Sequence, residues 1–328
     1  MSEQTKHPYE NLTPDTILGA LESLDLRPDG GMLALNSYEN RVYQIGIDEE
    51  PPLVAKFYRP ERWSNESIRE EHQFSLALAE EEIPVIAPLV IGGETLHEYQ
   101  GFRFSLYPRR GGRWPELDDP DNLEWIGRFM ARIHQLGASH PFACRPDIDI
   151  AGLGSEPVEF LLGNNLVPLE QERSYREITT ILLEKIAEAF DKASYLPIRL
   201  HGDCHPGNIL WTDHGPHFVD MDDCRNGPAI QDLWMLLSGD SQEMALQLSY
   251  VREGYETFRE LDTREVALIE PLRTLRMIHY TAWLARRWDD PAFPKAFPWF
   301  NTPQYWQEQI ATLQIQAEAL ERPPLPLY

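Results

Sequence analysis

Along the N-terminal third of the chain, apolar and polar residues alternate in short runs. Leu33-Ala34-Leu35, Arg41-Val42-Tyr43-Gln44-Ile45, Val54-Ala55-Lys56-Phe57-Tyr58 and Phe102-Arg103-Phe104-Ser105-Leu106-Tyr107 each have the two-residue period of a strand. Two stretches switch to helical spacing. Thr13-Pro14-Asp15 offers a cap and a first-turn proline before Ile17, Leu18, Ala20 and Leu21, and Ile68, Glu71, Phe74 and Leu78 share roughly one face over residues 64–82. Residues 1–107 thus predict one short helix, about five strands and one longer helix. After residue 119 helical periods dominate, over about 119–138, 155–164, 170–192, 229–238, 242–260, 264–288 and 303–321. Strands return there only around residues 199–220, and Pro291 to Trp306, rich in Pro, Phe and Trp, reads as packed irregular chain. The expected class is α+β, a mixed five-stranded N-terminal lobe (1–107) followed by a helical C-terminal lobe (108–328).

Length and charge narrow the picture. A chain of 328 residues buries a sizeable core but is long for one compact unit, which suits two lobes around a cleft. A net charge of −24, from 29 basic against 53 acidic residues, argues against nucleic acid or an anionic membrane as partner. No run approaches the ~20 apolar residues of a membrane helix, and no basic-then-apolar leader is present. Three cysteines without framework spacing fit a reducing compartment, so the expected location is the cytoplasm.

The chemistry concentrates in residues 199–223, RLHGDCHPGNILWTDHGPHFVDMDD. His201-Gly202-Asp203 is followed by Asn208, then an apolar run, a turn at Asp213 to Pro216, a second run and Asp220. A hairpin of that pattern folds the chain back, so Asp203, Asn208 and Asp220 can meet at one end. Phosphoryl transfer from a nucleotide needs those three groups. One carboxylate (Asp203) orients the acceptor hydroxyl and takes its proton, while an amide oxygen (Asn208) and a second carboxylate (Asp220) hold Mg²⁺. The His-x-Asp-x-His pattern through His205 also occurs in metal hydrolases, but the apolar strand and Asp220 fit the transferase reading better.

The loop and hairpin resemble the aminoglycoside phosphotransferase and choline kinase branch of the protein-kinase-like superfamily. The resemblance implies further roles. Lys56, a lone lysine in an apolar strand, would reach the nucleotide phosphates. Glu71 on the inward face of the following helix would pair with it, with Glu70 the alternative. The turn Asn36 to Asn40 would offer Ser37, Asn side chains and backbone N–H groups to phosphate oxygens; locally an ordinary hairpin turn fits nearly as well, and its position one strand before Lys56 favours the phosphate role. Gly101 to Pro108 would form the hinge, and Asp232 would be a structural aspartate. No G-x-G-x-x-G precedes Lys56, and there is no Asp-Phe-Gly, no Ala-Pro-Glu and no long activation segment.

Longer stretches, Leu35 to Tyr43, Lys56 to Trp63, His201 to Trp211 and Ala282 through Asp290 to Trp299, are similar to a family of bacterial stress-response kinases within that branch. That similarity implies a monomer that uses ATP and Mg²⁺ to phosphorylate serine or threonine on protein substrates. No motif reads the acceptor, so a small-molecule kinase acting on an amino alcohol or sugar stays open, as does a nucleotide-binding module without turnover. On the acceptor side, Arg286 and Arg287 stand out as basic residues in an acidic chain, and at least one is expected to face the cleft or an acidic neighbour.

Overall fold

Helix α1 (Pro14–Glu22) starts where the sequence places its cap: Thr13 Oγ1 accepts from Thr16 N–H at 3.2 Å, and Pro14 takes the first helical position, where a missing N–H costs nothing. Its apolar face, Ile17, Ala20 and Leu21, packs on an antiparallel sheet of five strands. These are β1 (Pro28–Ala34), β2 (Arg41–Ile47), β3 (Glu50–Phe57), β4 (His97–Tyr99) and β5 (Phe102–Pro108), in the order β1-β2-β3-β5-β4. Alternation sorts the central strand β3. Ala55 and Phe57 are buried with Ile45, Phe104 and Leu106 in the core beneath α1, so Lys56 faces the opposite side, opposite Ser105 in the ladder. Helix α2 (Asn65–Glu80), capped by Ser64, covers that opposite side. Its His72 bonds the Tyr58 hydroxyl at 2.7 Å and Thr95 at 2.8 Å.

This computed structural model describes residues 7–328, so the first six residues of the N-terminal lobe lie outside the described residues. The chain divides into two compact units that are not contiguous in sequence. The first carries the sheet, runs on past the end of β5 to Pro115, and takes in Phe142–Arg145 and Pro206–Cys224. Its late segment is the hairpin of β7 (Ile209–Thr212) and β8 (Gly215–Phe218), preceded in the chain by β6 (Ile198–Leu200) of the second unit. The hairpin joins the sheet-bearing unit through backbone: Phe218 N donates to Pro84 O at 2.8 Å, and Ile86 N to Phe218 O at 2.9 Å.

The second unit is helical: α3 (Pro120–Gly137), α4 (Glu156–Gly163), α5 (Leu169–Ala193), α6 (Ile230–Trp234), α7 (Ser241–Tyr255), α8 (Ile269–Arg286), α9 (Ala292–Ala296) and α10 (Pro303–Ala319). Strand β6 pairs with β9 (Arg225–Gly227) at the two ends of residues 201–224. Helices α3 and α7 touch through their backbones. A Cβ on Gly127 would lie 2.1 Å from Val251 O, and one on Gly254 2.0 Å from Glu124 O, so only glycine fits either position. Leu161, Tyr175, Leu182, Ile278, Ala282, Trp306 and Leu313 form a core among α4, α5, α8 and α10.

Several elements differ from the sequence expectation. The helix expected over 264–288 is a 3₁₀ stretch, Thr263–Leu268, followed by α8. Pro271 accounts for the break, since it has no N–H to give to residue 267 and its ring crowds that carbonyl. Helix α6 is shorter than 229–238, and a π-helical turn at Ala151–Ser155, not foreseen, leads into α4. The stretch 291–306 contains α9 and the start of α10, where Thr302 caps and Pro303 fills the first position. Among the described residues no helix is long and apolar enough to cross a membrane.

Candidate active site

The first unit carries Lys56, Glu71, Asn208 and Asp220, and Asp222 lies beside Lys56. Lys56 Nζ lies 2.8 Å from Asp220 Oδ1 and 3.3 Å from Asp222 Oδ1. Burial disfavours the ammonium, but Asp220 and Asp222 outweigh it and hold the Lys56 pKa well above the usual lysine value. The hairpin explains how the acids arrive. Ile209 pairs with Phe218, and Val219 N donates to Asn208 O at 3.0 Å, so Asn208 and Asp220 flank the same open end of the ladder. Asp220 has φ +60°, a left-handed conformation that aspartate tolerates better than most residues, and its side chain is 50% exposed.

Asp222, two positions on, is buried and far better partnered than a peripheral acid. Arg62 donates to its carboxylate, Asn40 Nδ2 bonds it at 3.1 Å, and its backbone carbonyl accepts from Arg145 Nη1 at 2.6 Å. Burial alone would raise its pKa, yet Lys56 and Arg62 pull it down to about 2. Arg62 also reaches Asp223 at 2.6 Å.

The helix acids are placed otherwise than the sequence reading has them. Glu71 is buried, as expected for the inward face, but no ion pair within 4.0 Å joins it to Lys56; its carboxylate lies 3.7 Å from Arg145 Nη2. Burial pushes its pKa up to about 7 against the pull of Lys56 and Arg145. Glu70 caps three backbone N–H groups, those of Ala143, Cys144 and Arg145, at 2.5, 2.8 and 3.0 Å. Both acids therefore tie α2 to the segment 142–145. Ser37 lies half-buried in the loop between β1 and β2. In that loop Asn40 does framework work, accepting from Arg59 N at 3.1 Å while it bonds Asp222.

The second unit carries Asp203. Its loop is held by Asp232 at the start of α6, as the sequence suggests: Oδ2 accepts from His201 N at 2.8 Å, Oδ1 from Gly202 N at 2.8 Å, and His134 Nε2 bonds Oδ2 at 3.0 Å. Gly202 has φ +86°, so a side chain at the middle position of His201-Gly202-Asp203 would strain the loop. Asp203 Oδ1 accepts from Arg276 Nη1 at 2.5 Å, and His205 Nε2 stands 3.6 Å from Oδ2. Arg276, on α8, has no signal in the sequence. The arginines that do stand out pack on aromatics, Arg286 over Phe160 at 4.7 Å and Arg287 over Trp283 at 5.3 Å. Cys204 and Cys224 are buried with thiol pKa values pushed up by that burial, which makes both inert as nucleophiles.

A buried lysine paired to a half-exposed aspartate, an amide beside it, and a separately braced aspartate are the parts a phosphoryl-transfer site requires. Comparison with known proteins agrees. The chain belongs to the phosphotransferase enzyme family, whose model matches residues 32–269. Over 319 residues it is 50% identical to stress response kinase A of Salmonella choleraesuis (strain SC-B67), with 97% of each chain covered. It is 49% identical to the serine/threonine protein kinase RdoA of Salmonella typhimurium (strain LT2) and 48% to stress response kinase A of Escherichia coli (strain K12), each with 97% of both chains covered. Among solved structures the fold resembles an amicoumacin kinase in complex with AMP-PNP and Ca²⁺ (TM-score 0.72, 18% identity, 96% of each chain). It also resembles a spectinomycin phosphotransferase in complex with ADP and spectinomycin (TM-score 0.65, 14% identity, 91% and 97%).

Proposed function

We propose that this phosphotransferase is an ATP- and Mg²⁺-dependent kinase that phosphorylates serine or threonine on proteins, acting as a cytoplasmic monomer in a stress response. One observation carries the chemistry: Lys56 and Asp220 meet at 2.8 Å beside Asn208, at the open end of a hairpin whose N-terminal loop supplies Asp203. The protein acceptor rests on the 49% identity, over 97% of both chains, to a protein named as a serine/threonine protein kinase.

The residues present fit a magnesium ion. Asp220 and Asn208 are hard oxygen donors, Asp220 is half exposed, and in this structure its charge is balanced by the Lys56 ammonium, which stands in for a cation there. Mg²⁺ held by Asn208 and Asp220 would neutralise phosphate charge. Lys56 binds phosphate oxygens, and Asp222 keeps the lysine charged and aimed. Asp203 orients the acceptor hydroxyl and receives its proton. Asp232 fixes the loop that presents Asp203.

A second reading, transfer to a small alcohol, is favoured by the names of solved structures of like fold, an amicoumacin kinase and an aminopropanol kinase. Incubation with γ-labelled ATP and Mg²⁺, against cell proteins and against a metabolite pool, separates the two. Label on protein that phosphoamino-acid analysis assigns to serine or threonine is the expected result; label confined to small molecules sinks the protein-kinase reading.

A further inference from the structure

Arg276 is an unusual neighbour for a catalytic base. It projects from α8 on the face that also exposes Tyr280, while Thr274, Leu275 and Ile278 fill the core behind it. Its side chain is 44% exposed, and Asp203 is its one polar partner among the described residues. In a chain of net charge −24, this arginine holds the carboxylate that the acceptor hydroxyl must use. The Arg276 side chain is 44% exposed and that of Asp203 21%, so water reaches the guanidinium side of the pair, and ion pairs that solvent reaches are worth only about 0–1 kcal/mol, weak enough to exchange. A neutral hydroxyl arriving at Asp203 satisfies the carboxylate but leaves the displaced guanidinium without a partner. A carboxylate carried by the acceptor removes that cost, because it takes the guanidinium with the same charge-assisted geometry that Asp203 releases.

Resting on the protein-kinase reading, we infer that Arg276 is a specificity-determining residue that selects serine or threonine flanked by an acidic side chain. On binding, the guanidinium passes from Asp203 to that side chain and frees Oδ1 for the hydroxyl. The overall negative field of the protein disfavours acidic partners, so such selection needs a local cation at the base itself. The same contact gives a resting state in which Asp203 is occupied until a matching acceptor arrives.

The test is a degenerate peptide library with fixed serine, the intact protein, ATP and Mg²⁺. The wild type should prefer Asp or Glu over Asn or Gln at one flanking position by about twofold to fivefold in kcat/KM, the range that a solvent-reached ion pair supports. Arg276→Gln should bring that ratio to about one, and Arg276→Lys, which keeps the charge without the fork, should retain part of it. Thermal melting of both variants checks that the fold persists. A wild type without acidic preference, or a preference that survives in Arg276→Gln, overturns the inference. So does an equal fall in kcat on every peptide at unchanged KM, which would make Arg276 a brace for Asp203. If the library stays unlabelled while metabolites are labelled, the protein-kinase reading itself has failed, and this inference with it.

Discussion

Lys56 reaches Asp220, 164 positions further along the chain, with its ammonium 2.8 Å from the carboxylate and Asp222 behind it at 3.3 Å. The lysine is thus oriented by acids from the hairpin. The acid on α2, Glu71, sits against Arg145. This arrangement decides what each substitution removes.

Lys56→Met should abolish productive phosphate binding and destabilise the first unit. The stability loss should be about 1–3 kcal/mol, below the ~3–5 of a fully orphaned buried charge, because Arg62 and Asn40 still hold Asp222. A double-mutant cycle in urea checks the wiring. Lys56→Met should couple to Asp222→Asn by about 1 kcal/mol or more and to Glu71→Gln by less than about 0.5; the reverse order would restore Glu71 as the lysine's partner.

Asp203→Ala should lower turnover by about 10²–10⁴ while nucleotide affinity stays close to wild type, since Asp203 belongs to the acceptor side. Calorimetric titration with ATP alongside the rate measurement separates the two effects. Turnover above a tenth of wild type moves the base elsewhere.

Asp220→Ala and Asn208→Ala should each weaken Mg²⁺-dependent nucleotide binding, Asp220 more severely because it contributes formal charge. Added Mg²⁺ should partly rescue Asn208→Ala. Titrations with and without Mg²⁺ read this directly, and a variant with wild-type Mg²⁺ dependence has not lost a ligand.

Glu71 makes stability pH-dependent. Its carboxyl, raised to about 7 from 4.5, stays protonated in the folded chain where the unfolded chain has lost the proton. The contribution is fully present below pH ~4.5 and is lost as pH rises through ~7. Glu265, also raised to about 7 by burial, adds a slope of the same sign. Glu71→Gln should therefore flatten part of the fall, leaving the variant relatively more stable at pH 8 than at pH 5 by on the order of 1 kcal/mol or more. Melting curves for both proteins at the two pH values test it; parallel curves would mean that Glu71 is ionised throughout.

Asp232→Ala removes the acceptor shared by His201 N, Gly202 N and His134 in a fully buried site. Buried donors left unmade cost about 1–3 kcal/mol each, so a loss of several kcal/mol is expected, with Asp203 misplaced and kcat reduced before the protein unfolds. An active variant of wild-type stability would show the brace to be dispensable.

Strand alternation around Lys56 made the sheet legible, and the hairpin pattern that brings Asn208 and Asp220 to one end was legible too, because both are written within a few residues. Pro303 marks a helix start just as locally, whereas the helical period over 264–288 hid the break at Pro271. The rest is long-range. Asp222 reads as one more acid in a row until Lys56, Arg62 and Asn40 arrive from the other end of the chain. Glu71 shows its inward face in the helical period, but the period carries no record of Arg145. Arg276 meets Asp203 across 73 positions, on a helix whose spacing gives no hint of it.

The non-contiguous first unit has a consequence for how the protein is made. Its sheet is complete in sequence at Pro108, yet the unit lacks its closing hairpin until Phe218 has been synthesised. At ~5–20 residues per second, that wait on the ribosome is on the order of ten seconds. Throughout it, Pro84 and Ile86 have no strand to bond, and the Lys56 ammonium has neither Asp220 nor Asp222 to justify its burial. The nascent N-terminal portion is therefore an open half-structure by construction of the chain, with an unpaired backbone edge and an uncompensated lysine. Synthesis of the hairpin supplies the active-site acids and ends that exposure in the same event.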